Sequence, residues 1–573
     1  MARPDRPYGV PAPPGLADRI AARLIGFGRS RTRMIAEPEP RFIGSAPRGH
    51  ALLSGAFHVG GEPVAAQSPW RLRLADPAAQ AEARGLHGFR WLDDLAAVGS
   101  PAARIAARDW TLEWLTRYGR GAGPGWTATL AAQRLLRWLS HAELLSLPDT
   151  ARGRFERALG RHLRFLSRRW KAAAPGLERI EVLTAMVYGG LALDGMQPHA
   201  ERARAGLADA AGIIDAEGAI PSRNPEELLE ITHFLLLAAT ALEEATVDPL
   251  PAHLSAIGRA VPVLRVLRHA TGLPPRFHGG SRGPAGRLDQ VLAASGVRGQ
   301  AEQPAMGYAR LSSGRSTVIA DAALPPAGPA SAMGHASALA FEFSHGRRSV
   351  IVSVGSGAPF GGDWRRAGRA TASHSTLGID GVSSARLAVA AGGPELLTGG
   401  PTEVLFRGDR HGLTLAHDGW RRSHGLIHHR VLQLSPDGLS LSGEDVIAAE
   451  TPPDRAALEQ AVARAGADGI GYSMRFHLHP DIRAVADLRG TMVELMLPGG
   501  ETWAFRHEGE GTLSLQPSVY LDRYRMAPRR SSQIVISDTI RHYTARIGWT
   551  LAQAQDRPTA VRDLEPDDLL ADA

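Results

Sequence analysis

The sequence predicts a chain of two parts, a helical N-terminal half followed by a β-rich C-terminal half. Three observations carry this. At 573 residues the chain exceeds what one ordinary core organises. From about Ala102 to Gly272 apolar residues recur at helical spacing, and after Gly307 the pattern changes to short, often alternating segments bounded by Gly, Ser or Pro.

The helical segments follow one another closely. Ala103–Tyr118 places Ile105, Trp110, Leu112 and Leu115 between charged positions. Trp126–Leu145, Phe155–Trp170, Leu177–Leu193, Ala200–Ile214, Pro225–Ala245 and Pro251–His269 come next, with breakers such as Pro175-Gly176 and Asp194-Gly195 between them. Such a run of helical hairpins suits a bundle, a solenoid or a toroid, and no fixed-period repeat favours the solenoid. Trp110, Trp114, Trp126, Trp138 and Trp170 sit at helical spacing, which predicts core positions before a sugar-stacking role.

In the second half, Tyr308–Leu311, Ser316–Ala320, Ala338–Phe343, Ser349–Val354 and Ser375–Ile379 read as strands, as do His429–Leu434, Leu439–Val446, Gly471–Leu478 and Trp503–His507. Their spacing predicts an antiparallel β-sandwich. The expected organisation is therefore a lead-in over 1–100, a helical domain over 101–300, a sandwich over 301–553 and an acidic tail over 554–573. Ser281 to Gln303, rich in Gly, Arg and Ala, is expected to link the halves or wrap one.

Composition narrows the function classes. Hydrophobic content of 44% and charged content of 21% are those of a globular protein. The net charge is +7, and Lys171 is the only lysine, so the basic side is almost wholly arginine. Arginine binds carboxylates and sulfates bidentately, which is compatible with an acidic ligand. No nucleic-acid module accompanies the charge. The absence of cysteine excludes disulfides, thiolate metal sites and a cysteine nucleophile. Ile20–Phe27, interrupted by Arg23, is too short for a signal-peptide core, and no window is apolar enough to span a membrane. On these grounds a cytoplasmic location is expected. No Walker loop, dinucleotide fingerprint, zinc-protease helix or nucleophile elbow occurs.

Three stretches of the β half matter together: a histidine-bearing strand expected at Met333–Phe343, which carries Gly334-His335-Ala336-Ser337-Ala338, then Val350-Ile351-Val352-Ser353-Val354-Gly355, then Arg369 to His374-Ser375-Thr376. Their order resembles the heparinase II/III-like family, in which a His-x-Asp segment, a hydrophobic strand ending in Asp-Ser-Gly and an Arg-x-x-x-x-His-Asn-Thr segment follow one another. His428-His429-Arg430 looks like that family's His-x-Arg strand. The resemblance implies an α/α toroid against an antiparallel β-sandwich, with a substrate cleft between them. It also implies a polysaccharide lyase acting on uronic-acid polymers such as heparan sulfate or alginate. In such β-elimination a cationic or amide group neutralises the uronate, a base removes the C5 proton and an acid protonates the leaving oxygen. A periplasmic or envelope location is implied as well, against the cytoplasmic expectation.

The resemblance nominates site residues. His335 is the candidate for proton transfer, with a hydrogen-bonded histidine at the domain interface as the alternative. Ser222-Arg223-Asn224-Pro225-Glu226-Glu227-Leu228 resembles the family's Ser-Pro-x-Tyr-His, with Glu227 and Leu228 at the Tyr and His positions. Arg223 and Asn224 would bind or neutralise the carboxylate, and Glu227 would substitute as base. Asn224 before Pro225 also reads as a helix cap. His233, in an apolar run, reads as buried. The family's upstream Asn/His position falls near Leu177–Val182, which holds neither. Zinc is the one cofactor the resemblance allows, with His335, His374 and His428 as ligands. Ser337 and Ser353 stand at the carboxylate positions, and three protein ligands are the usual minimum. Two further readings stay open: a non-catalytic glycan-binding or envelope-assembly protein on the same fold, and a hydrolase using Glu226, Glu227 and Glu230.

Overall fold

The computed structural model describes residues 12–26, 32–59, 62–389, 394–466, 469–522 and 527–554, so the expected acidic tail lies outside the described residues beyond Ala554. The N-terminal half is an α/α toroid. Its helices include Pro101–Tyr118, Ala128–Ser140, Asp149–Arg169, Leu177–Ala192, Gln197–Ala210, Pro225–Glu244 and Pro251–Val266. Ser100 and Thr127 cap two of them, each accepting from the amide three residues on. The segment expected as Trp126–Leu145 breaks at His141, where the chain restarts as Ala142–Leu145.

Helices within the first hundred residues belong to this half. Helices Leu16–Gly26, Ala46–Leu53 and Trp91–Val98 contribute Ala22, Leu52, Trp91 and Leu95 to the same core as Trp114, Trp126 and Trp138. Those three tryptophans are buried, as their spacing predicts. The stretch after Ser281 forms a short helix, Arg287–Ala294, whose Leu288 and Val291 pack into the helical core.

Among the described residues, the C-terminal half is built on two antiparallel eight-stranded sheets, with a small two-stranded one at Arg386–Val389 and Glu395–Thr398. One orders Val404–Gly408, Gly412–Trp420, Leu426–Leu434, Ser440–Ala448, Thr544–Gln553, Thr502–Glu508, Met492–Met496 and Arg483–Ala486. The other runs Thr512–Tyr520, Arg529–Ile540, Ile470–Leu478, Arg348–Val352, Phe341–His345, Ser316–Asp321 and Tyr308–Ser313, with Leu377–Ile379 also paired to Ile470–Leu478. Their inner faces meet through Phe341, Phe476, Phe505 and Trp549, with the Phe341 and Trp549 rings parallel at 5.6 Å. Gly443 lies opposite Trp549 in register; a Cβ there would come within 2.0 Å of the indole.

One expectation needs correction. The strand expected at Ala338–Phe343 forms at Phe341–His345, and His335 lies in the loop before it. Leu339 takes a left-handed backbone (φ 56°), which no strand accommodates. The loop amides and carbonyls find partners off the sheet instead: the Ala336 amide donates to Arg369 O, and the Thr371 hydroxyl donates to Ala336 O.

Candidate functional site

Asp321 ends its buried strand at the seam between the halves. It accepts from Arg223 Nη2 at 2.6 Å and from the Ser337 hydroxyl at 2.7 Å, and lies 3.3 Å from His278 Nε2. Burial opposes its charge, but Arg223 and His278 prevail and hold the carboxyl well below the usual range. Beside it, the rings of His278, His335 and His374 follow one another at 5.9 and 4.8 Å, all fully buried. Burial first, then the neighbouring imidazoles, lower His335 well below its ordinary value and His374 to about 3; burial lowers His278 as well, although Asp321 opposes it.

The nominated residues are committed to structure. Both ring nitrogens of His335 face backbone amides, Nδ1 that of His278 at 3.1 Å and Nε2 that of Gly279 at 2.9 Å. A neutral imidazole has one acceptor nitrogen, so it serves one amide at a time, and protonation would leave neither served. Arg223 donates to Asp321 and to the carbonyls of Met306, Gly307, Ala323 and Leu324. Its guanidinium therefore fastens helical half to sandwich. Asn224 caps helix Pro225–Glu244, its Oδ1 accepting from the Glu226 and Glu227 amides. Glu227 accepts from the Ser222 hydroxyl at 2.6 Å, and burial pushes its carboxyl up.

The histidines nominated for zinc do not form one donor set. His335 and His374 lie together, but His428 Nε2 faces Asp445 at 2.7 Å, and its ring neighbours are His417 and Trp420. Among the described residues no three His, Asp or Glu side chains converge as a metal would require. These residues do not fit zinc. The His-x-Arg strand instead anchors the loops above it. Arg430 bonds Asp445 and reaches the carbonyls of Leu339 and Ser375, pinning both histidine-bearing loops to the sandwich.

A cleft of about 410 Å³ opens on the toroid, walled by Phe42, Phe57, Trp91, Phe234 and, from the β half, Phe360. Its floor is ionic. Arg137 lies between Asp93 at 3.2 Å and Glu181 at 3.4 Å, and its guanidinium stacks 4.0 Å from the Phe42 ring centroid. Gln133 donates to Glu181, and His141 meets Asp93 at 2.8 Å. Burial raises Asp94 although Arg48 opposes it; burial also works on Asp93, yet Arg137 and His141 bring that carboxyl down. Aromatic walls over charged, hydrogen-bonding groups are what a saccharide needs: faces for its rings and partners for its polar substituents.

The family model described as Heparinase II/III-like, C-terminal matches residues 296–550. The chain is also 30% identical over 582 residues, 94% of its own length and 95% of the relative's, to the FtsZ-localized protein C of Caulobacter vibrioides (strain NA1000 / CB15N). The chain belongs to the heparinase II/III-like family. Among solved structures, heparinase III superposes with a TM-score of 0.62 at 12% identity, covering 93% of this chain and 89% of that one. A heparan sulfate lyase HepC mutant from Pedobacter heparinus gives 0.54 at 14%, covering 95% and 90%. These likenesses establish the toroid-plus-sandwich fold, and the heparinase II/III-like chain is polysaccharide-lyase-like in that sense.

Sequence reasoning missed Asp321, His278 and the cleft floor. Asp321 had a signal, a lone carboxylate closing an apolar strand. So did Arg137, a cation among Leu135, Leu136, Trp138 and Leu139 on one helix. Glu181 lies within Leu177–Val182, the segment where the family's Asn or His was sought.

Proposed function

We propose that this chain is a non-catalytic member of its family, a protein that binds a charged saccharide in the toroid cleft and works where FtsZ gathers. One observation carries the reading: of the groups that would neutralise a uronate and move its proton, Arg223 and His335 are spent on holding the two halves together and Asn224 on capping its own helix. Glu227 at the tyrosine position adds to it, because a carboxylate opposite a polyanion is repelled. The cleft mixes Arg48, Arg90 and Arg137 with Asp93, Asp94 and Glu181, which suits recognition of acidic and donor groups on one sugar chain. The place of action rests on the relative from Caulobacter vibrioides, whose name makes it FtsZ-localized.

The test pairs two measurements on purified protein, using a panel of uronic polymers and amino-sugar oligomers. Calorimetry should detect binding to at least one of them, while ultraviolet absorbance shows no unsaturated product from any. Absorbance that rises with the wild-type protein and disappears in His335→Ala would overturn the proposal in favour of β-elimination. A fluorescent fusion expressed in its native host should coincide with FtsZ, and a uniform distribution would remove the second half of the reading.

A further inference from the structure

Among the described residues lie all eleven of the chain's tryptophans. Nine are buried and Trp170 is half-buried, whereas Trp364 is 38% exposed. An indole has a large apolar area to bury, so one held out of the core calls for an occupant. Trp364 stands beside the cleft. Phe360, the wall that the β half supplies, closes the short turn Ala358–Phe360, and Trp364 follows four residues on in helix Gly362–Arg369. Turn and helix pack backbone to backbone: the Gly357 carbonyl accepts from the Phe360 amide, and a Cβ on Gly357 would come within 1.9 Å of the Trp364 carbonyl oxygen.

The helix is fastened from below. Arg365 donates to Ala332 O, Arg369 donates to the carbonyls of Ser331, Gly334 and Glu395, and a Cβ on Gly368 would meet Gly355 O at 2.6 Å. The backbone under Trp364 is therefore fixed while its ring faces solvent, which is how a preorganised stacking surface is built. Arg365, Arg366 and Arg369 converge on one carboxylate, Glu395, at 3.5, 2.6 and 3.8 Å, and Asp363 is the helix's own acid. Three cations against two anions leave the surroundings of the indole positive.

We propose, resting on the saccharide reading above, that Trp364 is a second sugar platform outside the cleft, and that the ligand is an acidic oligosaccharide long enough to pass over Phe360 onto the indole. The cleft, at about 410 Å³, has the volume of a site for one small molecule. Further sugar units leave it over its walls. On the Phe360 side they meet an indole face for their C–H surface and guanidinium charge for a carboxylate or sulfate. Affinity then grows with chain length, because one molecule makes both contacts.

Calorimetry on the full chain with alginate and heparan sulfate oligosaccharides, each from disaccharide to octasaccharide, tests this. Wild-type protein should bind the octasaccharide of one series about tenfold more tightly than its disaccharide. Trp364→Ala should erase that gain and leave disaccharide affinity and the circular dichroism spectrum unchanged, while Trp364→Phe should keep most of it. Bound octasaccharide should also shield tryptophan fluorescence from acrylamide in the wild type and not in Trp364→Ala. Equal affinity along both series, or a length gain that survives Trp364→Ala, would overturn the platform and leave the saccharide cleft standing. No binding at any length would overturn both, since the saccharide reading falls with it.

Discussion

Ser337 donates to Asp321 across 2.7 Å, so the histidine loop meets on the adjoining strand the kind of group its own sequence lacks. The family's histidine motif carries an aspartate at the serine's position. Here the carboxylate comes from the end of Ser316–Asp321 and is matched to Arg223 and His278. Its removal is therefore a test of the interface. Asp321→Ala should cost about 3–5 kcal/mol in urea unfolding, because a buried guanidinium loses its counter-charge. A loss below about 1 kcal/mol would show that the seam does not depend on this pair.

Acid should loosen the fold early. His374 is held down to about 3 and His477 to about 4, against 6.5 ordinarily, so the unfolded chain takes up their protons first as pH falls. Stability is then lost from about pH 6.5 downward, by at most about 1.4 kcal/mol per pH unit for each histidine. Asp321 acts in the same direction at lower pH: its depressed value gives stabilisation that is present above the unfolded pKa near 3.9 and lost as pH falls below it. Urea midpoints flat between about pH 8 and 5 would contradict this.

Asn224→Ala separates a cap from a substrate ligand. The cap reading predicts a loss of about 1 kcal/mol in stability, with saccharide affinity unchanged. An affinity loss without a stability loss would return Asn224 to the binding site.

Glu181→Gln keeps the shape of the cleft floor and removes one charge between Arg137 and Gln133. Calorimetry should find saccharide binding weaker by about tenfold, the scale of one charge-assisted hydrogen bond. Unchanged affinity would place the ligand elsewhere.

Gly443→Ala probes the sandwich interior. A methyl group would enter the Trp549 ring on the neighbouring strand of the same sheet, and the indole would have to shift within the packed interior, at about 1–3 kcal/mol. Thermal unfolding would report it.

Much of the fold was legible because each half keeps its own period: 3.6 along helices such as Pro225–Glu244 and 2 along strands such as Ser440–Ala448. The Asn224 cap was legible too, being a local event within three residues. The seam was not. Asp321, His278 and His335 are far apart in sequence, and nothing in a local pattern says that a strand end, a connector and a loop will meet. The placement of His335 on a strand failed for a related reason, since the backbone at Leu339 answers to partners such as Arg430, 91 residues away. The cleft floor was hidden because Arg137 and Glu181 sit in apolar helices, where charge reads as a local interruption and only the toroid makes it a site.

Arg223 collects five acceptors, four carbonyls and a carboxylate, from the far side of the seam. Such a rivet has a mechanical meaning. The halves cannot rock about this point without breaking several of those bonds at once, so the cleft wall that Phe360 brings from the β half keeps a fixed distance from the toroid. A protein that grips by closing adapts to its guest; one with a set aperture sorts guests by girth.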